Sequence, residues 1–196
     1  MMARRAMGIK YLRQIMTPRE MDLALSRIAA EIIEEHPDLS NVVLVGIRRR
    51  GIPLAEELQK KIKKLSGVEL PLGKLDITFY RDDLTLVSTQ PVVEASHLKF
   101  DVEGKTVILV DDVLFTGRTT RAALDSILDY GRPQRVELVV LVDRGHRELP
   151  IQADYVGKYV ETDRRELVEV RVRSIDGEEG VFLTTADLLK QSEGKQ

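Results

Sequence analysis

Twice in this chain a run of aliphatic and β-branched residues stops at a polar turn and is followed at once by a helical period, and no other feature narrows the fold as much. The first unit is "NVVLVGI", the turn "RRRG", and a helix expected over Ile52 to Leu65 with Leu54, Leu58 and Ile62 on one face. The second lies in "VILVDDVLFTGRTT". A strand is expected at Thr106 to Val110, a turn at Asp111 to Thr119, a helix over Thr119 to Tyr130, and a further strand over Val136 to Val142. Strands that alternate with helices in this way imply an α/β domain, with a mostly parallel sheet and helices on both faces. In such sheets ligands bind outside the carboxyl ends of the strands, near a topological switch point, and both polar turns fall at such ends.

The rest of the chain is arranged around these units. "TPRE" at Thr17 to Glu20 is a helix start, with a capping threonine, a proline at the first helical position and a glutamate able to return the bond. Met21, Leu25, Ile28 and Ile32 carry its period until His36-Pro37 ends it. "KLDITFY" reads as a strand, and the polar stretch from Arg81 to Lys99 as a hairpin or mobile loop. Beyond Leu149, short strands around Tyr155 to Val160, Leu167 to Val172 and Val181 to Leu183 are expected to form a small appendage. Residues 1–16 and 186–196 read as tails around one domain spanning 17–185, with the appendage mainly over 143–185.

Length and charge bound the partners. A chain of 196 residues can bury about two-thirds to three-quarters of its unfolded surface, enough for one core. A net charge of -2 gives no global attraction to polyanions, so a nucleic-acid partner would have to meet a local basic patch. The chain has no cysteine, which excludes disulfides, thiolate metal sites and cysteine nucleophiles, and suits a reducing cytoplasm. The longest apolar runs fall well short of the ~20 residues that span a bilayer.

The two turns carry the chemistry. Ionised Asp111 and Asp112 only accept hydrogen bonds, so they suit the vicinal hydroxyls of a ribose or help to hold Mg²⁺ with its waters. Behind them Gly117 opens the way to backbone N–H groups at a helix start, with hydroxyls on Thr116, Thr119 and Thr120 and a guanidinium on Arg118. That is an anion cradle, and the acids before it describe a ribose phosphate. The alternative is that Asp112 and Thr116 merely cap the helix. In "GIRRRG" three successive arginines repel one another unless an anion or water absorbs the charge, which suits a pyrophosphate or, equally, a solvated basic loop.

"VILVDDVLFTGRT" resembles the phosphoribosyl pyrophosphate motif of type I phosphoribosyltransferases. "LDITFYRDDL" and "GRPQRVELVVLVDRGHRELPIQADYVGK" resemble one member family, the pyrimidine operon attenuation regulator that is also a uracil phosphoribosyltransferase (the PyrR type). The resemblance runs from about Ser26 to Lys158. It implies the type I phosphoribosyltransferase fold, with a flexible loop and a hood. It further implies a Mg²⁺-dependent reaction of uracil with phosphoribosyl pyrophosphate, giving UMP and pyrophosphate. By similarity Asp111 and Asp112 bind the ribose hydroxyls, and the stretch Val113, Leu114, Phe115, Thr116, Gly117, Arg118, Thr119 wraps the 5-phosphate. Arg49 and Arg50 hold the pyrophosphate, Arg81 and Asp82 begin the closing loop, and Arg144 and the region of Val168 belong to the hood that receives the base. Mg²⁺ is bound mainly through the substrate, and no residue is named as general base.

The same resemblance implies a homodimer or homotetramer that binds pyr leader mRNA when UMP or UTP is present, through a basic surface. Arg27, Arg147 and Lys158 keep its charge. Ser26, Ala30 and Gln152 depart from the pattern, which has threonine, histidine and arginine there, so two potential RNA contacts are missing. On their own, Arg27 also reads as an exposed helix charge, and Arg147 as an ion pair with Asp143 or Glu148. Two rivals remain: an enzyme without the RNA role, and a receiver-like signalling domain whose acids hold Mg²⁺ and accept a phosphoryl group. The latter leaves "DRGHRELPI" unexplained.

Overall fold

The structure is a computed structural model and describes residues 5–6, 9–10, 12–80 and 98–188. In chain order, β1 (Arg5–Ala6) pairs with β2 (Ile9–Lys10), and β3 (Arg13–Met16) leads into α1 (Pro18–Glu35). Then come β4 (Val42–Ile47), α2 (Gly51–Ser66), β5 (Leu72–Leu75), β6 (Thr106–Leu114), α3 (Arg118–Leu128) and β7 (Arg135–Asp143). The chain continues with β8 (Tyr155–Tyr159), β9 (Glu166–Arg171), α4 (Arg173–Asp176) and β10 (Gly180–Thr185). Both capping-box bonds at Thr17 and Glu20 are present, and α2 closes on Gly67 in the left-handed conformation.

Five strands form one parallel sheet in the order β5-β4-β6-β7-β8. All six residues of β4 are buried because both faces are covered, which is why the run lacks alternation. One core packs α1 and α2 on the first face; a second packs α3 on the other. From β4 the chain steps outward to β5 and returns on the opposite side as β6. The switch point therefore lies between β4 and β6, where Gly46 pairs with Val110. Two glycines let α2 settle there. A Cβ on Gly46 would lie 2.6 Å from the Ile52 Cα, and one on Gly51 would lie 2.2 Å from the Val110 carbonyl oxygen.

The hood is a three-stranded antiparallel sheet, β3-β10-β9, with α4 beside it. Its composition corrects two expectations. Residues 13–16 do not trail as part of a tail but pair with β10, satisfying an edge that the carboxyl-terminal segment alone leaves open. Tyr155 to Tyr159 is not part of the appendage: it is the edge strand of the main sheet, parallel to β7, with Gly157 so close that a Cβ would meet the Leu141 carbonyl oxygen at 2.4 Å. "KLDITFY" is a strand only to Leu75, and Thr78–Tyr80 form a 3-10 turn. Residues 81–97 of the expected loop, including Arg81 and Asp82, lie outside the described residues, as do 189–196.

Candidate active site

Strand β6 runs past the acids to Leu114, so Asp111 and Asp112 sit within its last turn of pleat and not beyond it. Val113 and Leu114 remain in the ladder, opposite Val142 and Asp143. The turn expected to wrap an anion is thus shorter than the sequence suggests, Phe115 to Gly117 and the first turn of α3. Asp111 is buried and accepts a bond from the Asp112 amide at 2.9 Å; Asp112, half-buried, accepts from the Val113 amide at 2.9 Å. These bonds hold each carboxylate against its own strand.

The capping alternative is not what forms. Gly117, at φ 91°, takes the N-cap position of α3, and no side chain caps that helix. Asp112 points back into its strand, and the Thr116 hydroxyl lies a long 3.4 Å from the Arg118 amide. The start of α3 therefore presents backbone N–H groups beside the hydroxyls of Thr116 and Thr119, with the positive end of the helix dipole behind them. Arg118 does not join them, because its Nε is bound to Glu148 at 2.9 Å. Arg118 and Arg164 together hold the Glu148 carboxyl below its ordinary range, the Arg118 hydrogen bond contributing most.

At the end of β4 the peptide between Arg48 and Arg49 is cis. The arginines separate: Arg49 is exposed, Arg48 lies 3.8 Å from Asp76, and Arg50 turns toward the hood. Arg50 donates from Nε and Nη2 to Asp176 at 3.2 and 2.9 Å, with Glu169 at 3.5 Å. Burial works against its charge, but the Asp176 bond, with attraction from Asp176, Glu169 and Asp112, holds the guanidinium above its ordinary range. Asp176 and Glu169 went unnoticed in the sequence, since nothing local links position 50 with position 176.

The third wall joins the hood to the cradle. Arg144 is buried, its guanidinium 4.0 Å from the Phe115 ring centroid, and it donates to the Thr162 hydroxyl at 3.2 Å and the Asp163 carbonyl at 3.0 Å. Burial draws its pKa below the ordinary range, with Glu166 acting the other way. Val168 is half-buried on β9, opposite Leu183. Arg147 forms the ion pair with Asp143 that its sequence position allowed, and donates further to the carbonyls of Phe115 (2.8 Å), Ile151 (2.9 Å) and Gly145 (3.2 Å). Its guanidinium therefore braces the cradle and does not face outward.

Arg27 and Lys158 lie apart from this site. Arg27 bonds Glu31 at 2.9 Å and the carbonyls of Val156 and Gly157 at 3.0 and 2.7 Å, and Lys158 bonds the Ile15 carbonyl at 3.0 Å. Both retain exposed surface. Ser26 accepts from Lys61 at 2.9 Å, while Ala30 and Gln152 are exposed. A further polar cluster was also missed. Buried Glu137 accepts from Tyr155 at 2.9 Å and meets His36 Nε2 at 2.9 Å, and Arg135 approaches its other oxygen at 2.8 Å, out of line for a hydrogen bond. The glutamate inside the apolar run "RVELVVLVD" was the available signal.

Acids on one strand, an uncapped helix start behind them and an arginine turn at the end of the adjoining parallel strand thus stand at one edge of the sheet. The chain belongs to the phosphoribosyl transferase domain family, which matches residues 13–173. Within it, the chain belongs with the PyrR proteins. It is 58% identical over 175 residues to the Bifunctional protein PyrR of Pelotomaculum thermopropionicum, covering 89% of this chain and 97% of that protein. It is 53% identical over 170 residues to the Bifunctional protein PyrR of Clostridioides difficile, covering 87% and 96%. The fold is also that of a Trypanosoma cruzi hypoxanthine phosphoribosyl transferase, with a TM-score of 0.75 at 18% identity over 97% of this chain and 100% of that one.

Proposed function

We propose that this protein transfers phosphoribose from phosphoribosyl pyrophosphate to uracil, giving UMP and pyrophosphate. With a uridine nucleotide in the same pocket, it binds pyr leader mRNA and promotes early termination of transcription. The reading rests on one juxtaposition: the acid pair of β6 and the uncapped start of α3 face the arginine turn at the end of the neighbouring strand β4. Asp111 and Asp112 hold the ribose hydroxyls. The turn Phe115 to Gly117, with the amides of α3, holds the 5-phosphate. The Arg48–Arg50 turn faces the leaving pyrophosphate, with Arg49 the exposed cation. Arg144 and the β9 region near Val168 close the base side.

As pyrophosphate departs, positive character grows on the ribose ring, and the ionised acids beside it lower that energy while the turn at Arg49 takes up the charge of the leaving group. Among the described residues no group of three or more His, Cys, Asp or Glu could cage a metal. These donors suit an ion that arrives on the pyrophosphate with water as most of its ligands, as Mg²⁺ does. When bound, Mg²⁺ withdraws charge from the leaving group.

For RNA, Arg27 and Lys158 flank Gly157 at the edge of the sheet and form the basic surface, with the chain assembled as a homodimer or homotetramer. Nascent mRNA as partner implies a cytoplasmic location; no described helix is long and apolar enough to cross a membrane. Labelled uracil incubated with Mg²⁺, phosphoribosyl pyrophosphate and the protein should yield UMP, and failure to do so sinks the enzyme. A leader-RNA gel shift should tighten with UMP; binding equal to that of scrambled RNA leaves an enzyme without the regulatory role.

A further inference from the structure

The proposed reaction leaves one proton without a destination: uracil N1 must lose its hydrogen as it bonds to the sugar. We infer that His146, the residue whose ring stands at the junction of cradle and hood, takes that proton on Nδ1. The inference rests on the transferase reading above.

His146 is the one described non-glycine residue with positive φ, at 62°. Positive φ is uncommon outside glycine, and such positions recur at functional sites. Its Nε2 lies 2.6 Å from the carbonyl oxygen of Thr162. A carbonyl can only accept, so Nε2 carries hydrogen and the neutral ring has its lone pair on Nδ1. Among the described residues that nitrogen has no hydrogen-bond partner. The ring meets Phe115 edge-on, with centroids 5.8 Å apart and planes at 71°. Phe115 belongs to the turn that wraps the 5-phosphate.

The surroundings fix this placement. The Arg144 amide donates to the Leu114 carbonyl at 3.1 Å, and the amides of Glu148 and Leu149 donate to the Thr116 carbonyl at 2.9 and 3.2 Å. The whole 144–149 turn is thereby bolted to the cradle, while Thr162 ties the imidazole to the hood. Its charged neighbours are satisfied elsewhere: Arg147 is paired with Asp143, Arg144 stacks on Phe115, and the Asp163 carbonyl accepts from Arg144.

The step balances. The N1–C1′ bond forms as the C1′–O bond to pyrophosphate breaks, with pyrophosphate keeping the electron pair. The N1 proton passes to Nδ1, the imidazolium keeps its Nε2–H bond to the Thr162 carbonyl, and solvent takes the proton after UMP leaves. A positioned base of this type contributes about 10²–10⁴-fold.

The test compares wild type, His146→Gln and His146→Asn over a range of pH, with uracil and with 5-fluorouracil, whose N1 proton is more acidic. The expected result is a fall in kcat/KM for uracil of roughly 100-fold or more, loss of the acid-side limb of the pH profile, a clearly smaller fall with 5-fluorouracil, and an unchanged KM for phosphoribosyl pyrophosphate. Both variants should melt close to wild type. An active wild type whose variants keep the acid limb, or lose equal activity on both pyrimidines, overturns the assignment of His146 alone. A wild type inactive on uracil overturns the transferase reading and this inference together.

Discussion

Arg147 stands where resemblance puts a contact to RNA, yet its guanidinium is consumed inside the chain, and the two roles forecast different outcomes for Arg147→Met. The side chains of Arg147 and Asp143 are 23% and 7% exposed, so the pair is largely withdrawn from water. Removing the cation strands a buried carboxylate and takes a donor from the carbonyls of Phe115, Gly145 and Ile151. Breaking a buried pair in this way costs about 3–5 kcal/mol, and the partial exposure of Arg147 places the cost near the lower end, roughly 3 kcal/mol. In a domain of this size each kcal/mol lowers Tm by about 2–4 °C, so a fall of roughly 6–12 °C is expected by calorimetry. The KM for phosphoribosyl pyrophosphate should rise with it, because Phe115 belongs to the cradle turn. Combined with Asp143→Asn, the double variant should be less destabilised than the sum of the single changes by at least about 0.5 kcal/mol. A variant with wild-type Tm and wild-type KM that loses only leader-RNA affinity would refute this account and restore Arg147 to the RNA surface.

Other substitutions probe the rest of the site. Asp112→Asn should raise the KM for phosphoribosyl pyrophosphate about 10-fold or more, since a hydrogen bond to a charged group is worth roughly 1.5–3 kcal/mol, with circular dichroism and Tm near wild type; equal loss of stability and activity would favour a structural role. Gly51→Ala drives a Cβ to 2.2 Å from the Val110 carbonyl oxygen and should cost about 1–3 kcal/mol or more in urea melts, together with pyrophosphate-side affinity. Asp176 bears on pH. Burial alone would raise its pKa, but the bonds from Arg50 and the Val172 amide hold it below its ordinary 3.8. A depressed carboxyl stabilises the fold above its unfolded value, and that contribution is lost as pH falls through the folded value. Asp176→Asn should therefore be less stable than wild type at neutral pH, with the gap closing only below about pH 4; a gap that is constant down to pH 2 counts against the ion pair.

Much of the fold was legible because it is written in local periods. β4, α2, β6, α3 and β7 each appear as a buried run or a helical stripe, and the order of runs and stripes forces parallel strands. The edges were less legible. Against expectation, Tyr155 to Tyr159 pairs in the main sheet and Arg13 to Met16 in the hood, because a short strand's partner is chosen by distant residues and leaves little trace in its own composition. At the site, the place of the acids and of the turn behind them at the carboxyl edge of the sheet followed from residue type and spacing. The fates of the arginines were legible only in part. Arg50 and Arg118 read as phosphate-side ligands, Arg144 as part of the base hood, and Arg147 as an RNA contact or an ion pair; in the fold they face Asp176, Glu148, Phe115 and Asp143, so only the Arg147–Asp143 pair was in view.

By itself, then, the sequence determined the alternation of strands and helices and the two polar turns that follow its buried runs, since each is written in contacts within a few residues. Tertiary structure alone decided which cations remain available to a ligand. A long guanidinium goes to whichever carboxylate or carbonyl the packed chain brings within reach, and those partners lie between 2 and 130 residues away.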